Sequence, residues 1–146
     1  MLKVLKSLFE SVREDHSPRG LQVAAAALLI ELGKADYNTG AAEQGAIVDA
    51  IKRCTGVRDD ELEALLADAQ RSSAQSTSLY EFTSLINRDY SVDEKYALIV
   101  ELWRIAAADG EIHKYEDHLI RKIADLIYVT HSDFIRAKLQ VVNAVD

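Results

Sequence analysis

The chain has 146 residues, enough for one domain with a core of its own, and 49% of them are hydrophobic with a single Pro, which excludes a disordered polymer. Its net charge of −7 is spread evenly: residues 1–73 carry 9 basic and 12 acidic side chains, and residues 74–146 carry 8 and 12. An evenly acidic surface repels phosphate backbones, so nucleic acid is excluded as a general partner, and Arg136 with Lys138 is too small a patch to reverse this.

Apolar residues recur at three- and four-residue steps along the chain, the period of amphipathic helices, and predict an all-α compact bundle of about eight helices. The first, about 2–14, places Leu2, Leu5, Phe9 and Val12 on one face and ends before Ser17-Pro18-Arg19-Gly20. Residues 1–19 are accordingly read as an amphipathic helix with its linker, and 20–146 as the main domain. Lys6 interrupts the apolar run and no small-residue cleavage site follows, so this is not a targeting segment. It offers the one route to a membrane surface, with Lys3 and Lys6 on its polar side, although packing on its own domain suits its length and charge better.

The second helix is the Ala-rich stretch 20–35, and the third, 40–55, stops at Gly56. A fourth begins at Asp59 or Asp60 and fades in the polar run 72–78, read as a midpoint linker. Ser78 with Glu81 and Ser91 with Glu94 carry the Ser-x-x-Glu spacing of a reciprocal N-terminal cap and open the fifth and sixth helices. On the sixth, Tyr96 and Trp103 share a face expected to pack in the core. The seventh covers 112–127 and the eighth 132–144. Helices two to four thus correspond to six to eight, an internal pseudo-duplication.

The duplication is sharpest in its carboxylates. Asp36 and Glu43 are seven residues apart, as are Asp109 and Glu116, and each pair is displaced from its counterpart by 73. Glu116 falls in the stripe of Ile112, Ile120, Ile123 and Ile127, and Glu43 in that of Ile47, Ala50, Ile51 and Cys54. A carboxylate on a buried face is costly unless it is paired, hydrogen-bonded or bound to a cation. Folding the halves symmetrically would gather four oxygen donors, a set that suits a hard divalent cation such as calcium or magnesium. The same residues fit a plainer role, each Glu binding free amides in the first turn of its helix and each Asp ending or capping a helix.

Other chemistries find less support. The run from Asp109 to Glu116 matches the latter part of an EF-hand loop, but the first and third ligand places fall on Ile105 and Ala107. His113, His118 and His131 lack zinc-motif spacing or cysteine partners. Cys54, the lone cysteine, forms no intramolecular disulfide, reads as a small core residue and suggests a reducing, cytoplasmic compartment. No hydrolase nucleophile signature and no phosphate-cradling glycine loop is present.

The stretches Tyr80–Asn87 and Glu94–Glu111, with Ala108-Asp109-Gly110-Glu111-Ile112 after Leu102-Trp103-Arg104, and then Glu116–Ile127, resemble the TerB-like family, named for tellurite resistance. The resemblance covers about residues 20–140. It implies an all-helical bacterial fold, also found as a module of a membrane-attached J-domain co-chaperone, with metal binding at its acidic loops and no established catalysis. Carried over residue by residue, the metal site would comprise Asp109, Glu111 and Glu116, with Asp36 and Glu43 in the first copy. There Asp36-Tyr37-Asn38 replaces Asp-Gly, and the chain lacks the His-Pro-Asp triplet of a J domain. The expectation is a non-enzymatic domain that binds a divalent cation or a protein partner in a stress-related setting. A protein-interaction module with structural carboxylates and a metal-assisted hydrolase are the alternatives.

Overall fold

The structure, a computed structural model, describes residues 18–34 and 41–145, apart from the side chains of 41–43, 144 and 145. The predicted first helix and Asp36 lie outside the described residues, as does the side chain of Glu43. Seven α-helices and one 3-10 turn follow in order, with no strand among the described residues: α1 Pro18–Lys34, α2 Ala41–Thr55, the turn Asp59–Glu61, α3 Leu62–Gln75, α4 Tyr80–Asp89, α5 Val92–Ala106, α6 Lys114–Leu126 and α7 His131–Val145. No helix among the described residues is long and apolar enough to cross a membrane.

Two helices are buried on nearly every side. Helix α1 buries Ala24 to Leu29 as an unbroken run, then Leu32 and Gly33. Its small side chains let neighbours come close, since interaxial distance follows the side chains at the contact. A Cβ at Gly33 would lie 2.5 Å from Ile47 Cδ1 of α2. Helix α5 buries Leu98 through Trp103 and then Ile105 and Ala106. Around this pair, α2, α3 and α4 pack on α1, α2 and α7 pack on α5, and α1 touches α5 directly. The remaining helices each bury one stripe; that of α6 is Ile120, Ile123 and Ala124. Trp103 sits fully buried, as its helical face predicts, with Nε1 donating to Phe134 O of α7 at 3.3 Å.

Helix boundaries show which local signals governed. Ser91 caps α5 as expected: its Oγ accepts from Glu94 N at 3.1 Å, and Glu94 Oε1 accepts from Ser91 N at 2.9 Å. The matching cap at Ser78 does not form. Leu79 O accepts from Phe82 N and Thr83 N, so α4 begins one residue later than the pattern required and Glu81 is out of register for the return bond. Helix α1 begins at Pro18, inside the predicted breaker, because the first helical position needs no amide donor and suits proline's fixed φ.

The polar run 72–78 is a linker only from Ser76 onward, since α3 continues through Gln75. Ser73 is buried, donates through Oγ to Glu31 Oε1, and accepts from Lys34 Nζ at 2.6 Å, which ties α3 to the last turns of α1. The corresponding helices of the two halves start 74 (Pro18, Val92), 73 (Ala41, Lys114) and 69 (Leu62, His131) residues apart. The third pair departs from the 73-residue displacement of the carboxylates by four residues.

Candidate acidic loop site

The loop between α5 and α6 is shaped by one glycine and two carboxylates. Gly110 adopts φ +92°, a conformation rare for any residue with a side chain, and turns the chain sharply after α5. Asp109 Oδ1 accepts from Glu111 N at 3.1 Å, and its Oδ2 lies 3.4 Å from His113 Nε2. Glu116 Oε1 accepts from His113 N at 3.2 Å. His113 therefore joins the two acids, its ring at Asp109 and its amide at Glu116.

Glu116 is 1% exposed, as its place in the apolar stripe predicts. Its position at N3 of α6 gives the carboxylate the positive end of the helix dipole and an amide donor, which offsets part of the desolvation cost. Glu111 is exposed. Among the described residues, no three His, Cys, Asp or Glu side chains are grouped closely enough to hold a metal ion. The loop thus brings Asp109, His113 and Glu116 into one chain of contacts. The four-carboxylate gathering depends on Asp36 and on the side chain of Glu43, which lie outside what the structure describes.

A family model described as tellurite resistance protein TerB matches residues 22–139, most of the chain and all of this loop. The chain belongs to the TerB family. No curated protein and no solved structure is similar enough to count as a match. In this TerB chain the match takes in α1 from residue 22, all of α5 and the Asp109–Glu116 loop, so the scaffold and the candidate site belong to the same family unit.

A second buried acid escaped the pattern reading. Glu101, 5% exposed on α5, accepts from Arg53 Nε through both oxygens at 3.0 Å and meets Arg53 Nη2 at 2.8 Å and Arg104 Nη1 at 2.6 Å. The Glu101 carboxylate beside Arg53 raises the guanidinium pKa above its ordinary value. A glutamate inside the apolar run Leu98 to Trp103 was the available signal. Its partner lies 48 residues away, which spacing on one helix does not reveal.

The other candidates have settled places. Cys54 packs against the core, where burial pushes its thiol up to about 12, so it is no thiolate nucleophile at neutral pH. His118 is exposed. His131 opens α7 rather than capping it; Thr130 supplies the cap, with Oγ1 accepting from Asp133 N at 3.2 Å.

Proposed function

We propose that this TerB-family chain is a binding domain, not a catalyst, and that its acidic loop takes a divalent cation, calcium or magnesium, in a stress-related setting such as tellurite resistance. Asp109 and Glu116 are the ligands of first choice, the exposed Glu111 is a third, and Asp36 and Glu43 form the equivalent pair of the first half. One observation carries the reading: a carboxylate only 1% exposed, Glu116, stands one loop from Asp109 in an apolar surround. Oxygen-only ligands suit hard cations, and a buried anion gains most from a positive charge. Binding would exchange the Asp109–His113 contact for coordination.

The competing reading is a protein-interaction module whose carboxylates are structural. It is favoured by the amide hydrogen bonds that Asp109 and Glu116 already make within the loop. Exposed Tyr115, beside Glu116, would then serve as a contact for a protein partner.

Calorimetric titration of the chelator-stripped chain with calcium and with magnesium separates the two. Saturable binding in the parent that disappears in Asp109→Asn/Glu116→Gln supports the cation site. Absence of binding in a folded parent, or binding unchanged in the variant, favours the structural reading.

A further inference from the structure

Helix α6 packs mainly on α5 and touches α1 and α4 only lightly. Where α6, α1, α4 and the linker 76–79 meet, they leave a cavity of about 430 Å³. Leu119, Lys122 and Leu126 stand three and four residues apart on α6 and line it as one face, beside the buried stripe of Ile120, Ile123 and Ala124. Leu79 and the buried Phe82 line it from the linker and from α4. The volume falls in the range of roughly 300–1,000 Å³ that holds small molecules. A helix about 10 Å across would fill it in a single turn, so a protein segment is a poor occupant.

Two opposite charges line this cavity without pairing with each other, Glu31 and Lys122. The charge of Glu31 is met elsewhere: Oε1 accepts from Ser73 Oγ and lies 3.5 Å from Lys34 Nζ, which itself donates to Ser73 Oγ at 2.6 Å. Lys122 makes no hydrogen bond or ion pair among the described residues. In the linker, Ser76 Oγ accepts from Ser78 N and Ser78 Oγ accepts from Tyr80 N, both at 3.3 Å. The Thr77 hydroxyl between them has no such bond among the described residues. The cavity thus holds one uncompensated positive charge, in a chain of net charge −7.

We propose that this cavity binds a medium-chain monocarboxylate, its apolar body on Leu79, Phe82, Leu119 and Leu126 and its carboxylate on the Lys122 ammonium and the Thr77 hydroxyl. A bond between two ionised groups is about twice as strong as a neutral one, and the leucines on either side of Lys122 reduce its exposure to competing water. Glu31 limits the ligand to one negative charge, because a second, as on a phosphate monoester, would meet a carboxylate already in the wall. The site is separate from the acidic loop, whose Asp109 and Glu116 do not line it.

The test titrates the full chain with octanoate, followed by amide chemical shifts, with chelator present so that cation binding at the acidic loop does not enter. The expected Kd is on the order of 0.1 mM, with shifts centred on Thr77–Phe82 and Leu119–Leu126. Lys122→Gln should weaken octanoate roughly tenfold, Lys122→Arg should restore most of the loss, and Lys114→Gln, on the same helix outside the cavity, should change nothing. Octanol, with the same body and no charge, should bind the parent and Lys122→Gln equally weakly. No octanoate binding at millimolar concentration overturns the proposal, as do shifts centred elsewhere. Equal affinity for octanoate and octanol, or for octanoate in parent and Lys122→Gln, also overturns it, because the cavity then takes apolar matter without reading its charge.

Discussion

Tyr128 holds φ +62° at the end of α6, the place that Gly56, φ +63°, occupies at the end of α2. Val129 N donates to Ala124 O at 2.9 Å and Tyr128 N to Asp125 O at 3.2 Å, so the helix closes in the left-handed stop that normally takes glycine. A side chain in that conformation costs about 1–2 kcal/mol, offset in part by the entropy glycine would lose on folding. Tyr128 is 79% exposed, and the cation of Lys95 at 5.9 Å from its ring returns little. Tyr128→Gly should therefore raise the stability measured by urea unfolding, by about 0.5–1 kcal/mol.

Arg53→Ala should lower stability by about 1–3 kcal/mol, because it leaves the buried Glu101 carboxylate with Arg104 alone; the half-exposed guanidinium keeps the loss below that of a fully buried pair. The charge on Asp68 sets a pH dependence. The Arg19 guanidinium, 3.0 Å away, holds its carboxyl below the usual carboxylate range. A depressed folded pKa contributes stability that is present above the unfolded value, about 3.9, and is lost as pH falls through the folded one. Asp68→Asn should flatten the acid side of the stability–pH curve below about pH 5 and leave the neutral side unchanged in slope.

At the scale of elements, helices were legible because their apolar stripes repeat at 3.6 residues, while their ends depended on contacts that a pattern does not contain. Ser91 and Ser78 carry the same Ser-x-x-Glu spacing, yet only Ser91 becomes a cap, since α4 starts its hydrogen bonding from Leu79. Ser91→Ala should accordingly cost about 1 kcal/mol in thermal or denaturant unfolding, whereas Ser78→Ala should cost less than half of that. Ser73 shows the opposite error: a serine inside a polar run is buried and ties α3 to α1 through Glu31 and Lys34. Hydrophobicity flagged nothing there because the contact is polar and spans about forty residues. The site followed the same division. Glu116 was legible from its own helical face, but the link from Asp109 to His113 and the pairing of Glu101 with Arg53 depend on loop geometry and on a packing between helices.

For the molecule as a whole, two helices buried nearly all round, α1 and α5, organise the TerB-family fold, and each is followed by a helix that starts 22 or 23 residues after it, at Ala41 and at Lys114. The described loop, between α5 and α6, links the buried Glu116 to Asp109 through His113. The proposed cation would bind the folded chain and not the unfolded one, so its presence must appear as stability. Thermal unfolding of the chelator-stripped chain with calcium, magnesium, manganese and zinc in turn, beside Asp109→Asn/Glu116→Gln, tests this most directly. Calcium or magnesium at a hundredfold excess over Kd should raise the parent's midpoint by about 5–10 °C and leave the variant's unmoved. A parent midpoint that no ion shifts, or a shift equal in parent and variant, would contradict the account.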